Sequence, residues 1–381
     1  MLNIFLDAKP LFYDEIDYDR FPRIYKKIKQ NFKTPKIVHI VGTNGKGTTG
    51  RFLATAIHNL GYSVGHYTSP HISKFNERIW INGADVSDED LDLNHEILSK
   101  LIDSDDLEAL SYFEYTTLLG MWMFSDCEYV ILEAGLGGEF DATAVFNKSL
   151  TLVTPIDIDH EAFLGSAIAS IASTKLNAIQ NNAIIATQKH DDVYDVVKEK
   201  VKEKSINIKN IQEYLDDEDE KKISEISKEL KLASYLENNL SLSISALKFF
   251  NLSYNVNTFN NSRLFGRLTR FRDNIIIDVG HNVLAAQSIV ESLRKNKYIL
   301  IYNSYKDKDY KQILSILKPI IDCVEIIDID GQRVASLESL HETLIDLKIE
   351  YKKYNKINKN SKYLVFGSFS VAESFLREYN G

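Results

Sequence analysis

Residues 37–50 read IVHIVGTNGKGTTG, an apolar run rich in β-branched residues that breaks into glycines, a lysine and threonines. A buried strand that feeds a phosphate-holding loop has this form. The spelling departs from the common phosphate loop. Its spacing would put a glycine at Ile40, and Gly47 fills the slot after Lys46 where a metal-binding Ser or Thr usually stands. Glycines let backbone N–H groups approach phosphate oxygens without a Cβ in the way. The helix that follows adds a partial positive charge at its N-terminus, and Lys46 adds a full one.

Outward from the loop, TGRFLATAIHNLG reads as a helix stopped by Gly61. SVGHY (63–67), YVILEAGLGG (129–138) and SLTLVTPI (149–156) read as further strands, and ASIASTKLNAIQ as a helix. The alternation predicts an α/β fold: a mostly parallel sheet with helices on both faces. Residues 189–230 are charged and poor in apolar residues, and read as a solvated insertion or surface helices. The polar NTFNNS (257–262) reads as a linker, after which NIIIDVGHN (274–282), KYILIYN, DCVEIIDI and KYLVFGS start a second strand-and-helix series. The expected domains are 1–262 and a smaller Rossmann-like 263–381.

Composition narrows the functional classes. A chain of 381 residues suits about two domains. A net charge of −9 argues against a nucleic-acid partner, which needs a basic face. Cys127 and Cys323 are too few for a disulfide framework, which points to a reducing compartment. MLNIFLDAKP lacks the basic start of a signal peptide, and no apolar run approaches the ~20 residues of a membrane helix. A cytoplasmic monomer is the default expectation.

Several residues beyond the loop carry chemistry. Glu133 ends the strand VIL, where a carboxylate beside a phosphate loop holds Mg²⁺ through oxygen; a salt-bridged or capping acid is the alternative. His160 in DIDHEAFLG reads either as a satisfied strand-end residue or as a metal or substrate group. Ser69 in YTSPH is a candidate for the metal-ligand role that Gly47 cannot fill. The guanine signature [NT]KxD is absent, TKLN (174–177) lacking the acid, so ATP is the expected nucleotide.

The ordered set VGTNGKGTTG, HYTSPHISKFNERIWING, YFEYTTLLGMWMF, VILEAGLGGEFDAT, DIDHEAFLG, FGRL, IIDVGHN and VFGSFS resembles the dihydrofolate synthase and folylpolyglutamate synthase ligases, relatives of the Mur ligases. It covers about residues 37 to 370. Only 41 residues precede Gly42, too few for the UDP-binding domain of a Mur ligase, and Gly47 matches the folate branch.

The resemblance implies an ATP- and pterin-binding first domain and ATP-dependent attachment of L-glutamate to 7,8-dihydropteroate or a reduced folate. It implies Mg²⁺, with a monovalent cation as a further option. Thr43, Asn44, Gly45, Lys46, Gly47 and Thr48 would bind ATP together with Asn239, Arg267 and Asp278. Ser69, Glu133 and His160 would hold magnesium. Lys46, His160 and Lys175 would serve catalysis, Lys175 matching a lysine that the family carries as a carbamate. Ser111, Tyr112, Phe113, Glu114, Phe140, Asp141 and Ala142 would line the dihydropteroate pocket, with Phe113 stacking on the flat pterin and Asp141 accepting from its N–H edge. Four positions depart from the family pattern: Glu139 stands for an Arg, Ala144 for an Asn, Val283 for a Pro and Thr174 for a Glu. Glu139 reverses a charge beside the pterin segment. The rival readings are a Mur-type ligase of another acid and a non-catalytic nucleotide-binding protein.

Overall fold

The computed structural model describes residues 1–9, 17–159, 161–331 and 333–380. They form two compact units: Met1–Leu232 with Leu236–Ser262, and Ala233–Tyr235 with Arg263 onward. The first unit is built on the strands β1 (Lys36–Val41), β2 (Val64–Tyr67), β3 (Ile79–Ile81), β4 (Ala84–Asp85), β5 (Tyr129–Glu133), β6 (Leu150–Val153), β7 (Asn182–Ile185) and β8 (Asn207–Asn210). Their spatial order is β4-β3-β2-β5-β1-β6-β7-β8. β2, β5, β1, β6, β7 and β8 run parallel, and β3 and β4 add an antiparallel edge.

Both faces of this sheet are covered, as its near-continuous apolar strands require. On β1, Val38 and Ile40 face one core with Phe52, Leu53 and Ile57 of the helix Lys46–Asn59. Ile37 faces the other, with Tyr115, Leu118 and Leu119 of the helix Tyr112–Met123. One strand thus feeds two layers, and the alternation fixes its register.

The charged stretch 189–230 is not an appendage. It supplies the helix Asp191–Lys204, the strand β8 paired in parallel with β7, and the helix Asp217–Leu230. Ile211, Ile223 and Ile226 from it are buried in the main core. Its high charge reflects helices with one wet face, so average composition hides an apolar stripe of a few residues. NTFNNS is likewise no slack linker. Thr258, Phe259 and Ser262 are buried, and Asn59 Nδ2 donates to the carbonyls of Thr258 and Asn260 at 3.0 and 3.1 Å.

The second unit carries β9 (Thr269–Arg272), β10 (Ile275–Ile277), β11 (Tyr298–Tyr302), β12 (Ile321–Ile326), β13 (Glu350–Lys353) and β14 (Tyr363–Val365), ordered β13-β12-β11-β14-β10-β9. All pairings are parallel except β9 with β10. No helix of the described residues is long and apolar enough to cross a membrane.

Candidate active site

Register puts the chemistry on one sheet edge. Ile40 pairs with Glu133, Val41 with Val153 and Tyr67 with Leu132. The segments leaving β1, β5, β6 and β2 therefore emerge side by side at their C-terminal ends, where open parallel sheets bind ligands.

The phosphate loop is braced from below. The Thr43 amide donates to Pro155 O at 2.9 Å and the Asn44 amide to the same oxygen at 3.4 Å. Thr43 Oγ1 donates to Asp157 O at 2.9 Å and accepts from the Asp157 amide at 3.0 Å. Thr43 and Asn44 thus fix the loop to the segment after β6. The first-turn amides of the helix Lys46–Asn59, which have no intrahelical acceptor, are left to face a ligand. Gly45 has φ +89°, and a Cβ there would lie 2.2 Å from Asn239 Oδ1. Glycine is thus required at this position, with the Asn239 side chain packed against it. Thr48 is buried and its Oγ1 has no hydrogen-bond partner among the described residues. An orphaned hydroxyl at the start of this helix is a ready ligand for a phosphate oxygen. Lys46 Nζ folds back on the loop carbonyls of Gly42 (3.3 Å) and Thr43 (3.4 Å), so its charge sits over the loop.

Lys175 is 5% exposed, on the helix Ile168–Leu176, and its Nζ donates to Gly42 O at 3.0 Å. Burial, and then the Lys46 cation, lower its pKa to about 7. Glu133 is buried. Its Oε2 accepts from Thr68 Oγ1 and from the Ser69 amide at 3.2 Å. Glu133 and Ser69 are thereby brought together, and Thr68 is a partner that sequence reading missed. Both are hard oxygen donors, which fits Mg²⁺; that ion takes few protein ligands and completes its shell with water and substrate phosphates. His160 lies outside the described residues, and among those described no group of three His, Cys, Asp or Glu is placed to hold a metal.

The acceptor-side residues divide sharply. Phe113 packs against the turn after β5, where a Cβ on Gly135 would lie 2.6 Å from its ring. Tyr112 lies beneath the Arg78 guanidinium, 5.3 Å from the ring centroid. Phe140 is 58% exposed and stands 4.4 Å, centroid to centroid, from the exposed ring of Tyr18. Ala142 is buried in the turn that follows. These aromatic faces suit a flat ligand.

Ser111, Glu114 and Asp141 have other occupations. Ser111 Oγ accepts from the Glu114 amide (3.1 Å) and Glu114 Oε2 from the Ser111 amide (2.7 Å), a capping box that starts the helix Tyr112–Met123. Arg20 closes on the same carboxylate at 2.9 Å. Asp141 accepts from the amides of Gly135, Leu136 and Thr143, each at 2.9 Å, and from Thr143 Oγ1. Four donors occupy the lone pairs of a carboxylate. Asp141 therefore clamps its own turn. Glu139 is also tied down, Asn177 Nδ2 donating to it at 2.7 Å. Its reversed charge secures the turn to a neighbouring helix.

Arg78 and His71 were given no role by the sequence. Arg78 is buried, and its Nε donates to His71 Nδ1 at 2.8 Å. Burial and then that guanidinium hold the imidazole down, at about 4, so it is neutral at physiological pH. In the second unit Asp278 is buried and accepts from Gly280 N (2.8 Å), Leu268 N (2.8 Å) and Tyr235 OH (3.0 Å). Burial raises its pKa, and the Arg267 charge opposes that. Arg267 lies over the ring of Phe369, 5.4 Å from its centroid. Arg267 and Asp278 are thus brought together within that unit.

A doubly wound sheet with a glycine phosphate loop, an adjacent oxygen-donor pair and a buried near-neutral lysine defines a nucleotide-binding α/β protein with a second Rossmann-like unit. No family model matches the chain. A dihydrofolate synthase/folylpolyglutamate synthase of Buchnera aphidicola subsp. Baizongia pistaciae is 32% identical over 371 residues, 88% of this chain and 85% of that protein. The crystal structure of Helicobacter pylori folylpolyglutamate synthetase is 38% identical, with TM-score 0.82 over 100% of this chain and 98% of that one. Mycobacterium tuberculosis folylpolyglutamate synthase complexed with ADP shares the fold at TM-score 0.84 and 21% identity, over 100% of this chain and 98% of that one. The chain belongs to the dihydrofolate synthase/folylpolyglutamate synthase family.

Proposed function

We propose that this protein is an ATP-dependent ligase that joins L-glutamate to 7,8-dihydropteroate and to reduced folates. The observation that carries the site assignment is the meeting of Lys46, Lys175, Glu133 and Ser69 at one sheet edge, around a helix start that has no side-chain cap among the described residues.

A carboxylate oxygen of the acceptor attacks the γ-phosphorus of ATP, the bond to the β-phosphate oxygen breaks, and ADP leaves. Lys46, the amides of residues 45–48 and Thr48 Oγ1 hold the phosphate oxygens and meet the developing charge. Glu133 and Ser69, with His160, would hold Mg²⁺, which when bound supplies charge neutralisation at the phosphates. The glutamate amine then attacks the acyl carbon, inorganic phosphate departs with its oxygen, and the amine proton passes to solvent. Exclusion of water protects the acyl phosphate.

Lys175 with a pKa of about 7 is close to half neutral at pH 7. A neutral amine attacks CO₂ and releases one proton, giving a carbamate. This supports the reading of Lys175 as a carbamate carrier, its product an anion beside the phosphate loop. Phe113, Tyr112 and Phe140 offer the aromatic faces for the pterin.

Phosphate release from ATP with L-glutamate, comparing 7,8-dihydropteroate with tetrahydrofolate, tests the assignment. Turnover is expected with both. Turnover with one alone restricts the activity to that half, and silence with both, despite ATP binding, overturns it.

A further inference from the structure

His39 is wholly buried on the strand that leads into the phosphate loop, and the chemistry above makes no use of it. Its Nε2 lies 2.7 Å from Thr143 Oγ1. Thr143 Oγ1 donates its only proton to Asp141 Oδ1, so toward His39 it can only accept. The imidazole therefore carries its hydrogen on Nε2, and burial with the nearby Lys148 cation keeps the ring neutral. Asp141 in turn accepts the amides of Gly135 and Leu136. An unbroken chain of hydrogen bonds thus runs from β1, three residues before Gly42, to the turn that starts two residues after Glu133 and ends at Phe140.

Packing alone does not account for the histidine. Its Nδ1 has no hydrogen-bond partner among the described residues, and neither has Thr151 Oγ1, which stands in register with it on β6. An unpaired buried polar atom is destabilising, and an aliphatic side chain at this position would avoid that cost. What the ring does hold, through its other nitrogen, is Thr143.

We propose that His39 is a positioning residue for the acceptor acid. Through Thr143 and Asp141 it sets the turn 135–140, and with it the aromatic edge at Phe140, relative to the phosphate loop. This inference rests on the ligase reading above. In steady-state assays, His39→Leu is expected to raise the KM for the acceptor about tenfold, since small displacements at a reacting centre are amplified, while the KM for ATP stays within about twofold. His39→Gln, whose amide N–H reaches toward the same oxygen, should restore most of the loss. Thr143→Val should reproduce the defect, and the double variant should be no worse than either single one, because both cut the same chain. If His39→Leu does not fold, Thr143→Val carries the same readout.

An active wild type whose variants leave the acceptor KM unchanged overturns the inference alone. So does a parallel rise in both KM values, or additive defects. A wild type silent with every acceptor overturns the ligase reading, and this inference with it.

Discussion

Lys175→Met should make the fold more stable at neutral pH while abolishing turnover. The native lysine has one described hydrogen bond, to Gly42 O at 3.0 Å, which contributes about 1 kcal/mol. Against it stands the burial of an ammonium whose pKa falls from 10.5 to about 7. At about 1.4 kcal/mol per pH unit, this burdens the protonated fold by up to about 5 kcal/mol. The burden wins, so the variant gains up to about 4 kcal/mol. Between pH 7 and 10.5 the unfolded chain binds more protons at this site than the fold does, so native stability rises with pH across that window. Below pH 7 both states are protonated and the burden is constant. Denaturant unfolding in CO₂-free buffer from pH 6 to 10 should show the variant ahead at pH 6–7 and the gap closing toward pH 10. Bicarbonate should narrow the gap near neutrality, since a carbamate removes the cation. A variant less stable at every pH, by a constant amount, would refute the reasoning.

Lys46→Ala should cut kcat by at least about a hundredfold with the circular dichroism spectrum unchanged, because the charge lies over the loop and holds no core contact. Glu133→Gln should raise the Mg²⁺ concentration needed for half-maximal turnover, a shift absent if the carboxylate only anchors Thr68 and Ser69. Arg20→Met leaves the Glu114 carboxylate, 12% exposed, without its cation, and should lower unfolding free energy by about 2–4 kcal/mol in chemical denaturation. Gly45→Ala forces a Cβ to 2.2 Å from Asn239 Oδ1 and should weaken ATP binding at least about tenfold by calorimetry, through loss of the loop's shape.

The fold was legible where a single local signal sufficed. The apolar run before Gly42 and the acid closing VIL placed β1, β5 and their C-terminal edge, because a buried parallel strand needs apolar residues throughout. Ser111 and Glu114 spell S-x-x-E, the pattern of a capping box, and they form one at the start of the helix Tyr112–Met123. Asp141 was harder. Its four donors come from residues 135, 136 and 143, and only the closed turn brings them round. Tyr235 on Asp278 joins residues 43 apart, beyond any local pattern. The strand β8 was hidden because it lies in a charged stretch that reads as a solvated insertion or surface helices, and an edge strand needs only one covered side.

That strand points to a property of the molecule in concentrated solution. Each sheet ends in two strands that pair with a strand on one side only among the described residues, and such rims invite a second chain to add on. Here the four rims are β4, β8, β9 and β13. They carry Asp85, Lys209, Arg270 with Arg272, and Lys352 with Lys353. None exceeds four residues. Short, charged rims frustrate the flat, dry stacking on which fibrils grow, so the polarity that disguised these segments also guards the chain against aggregation.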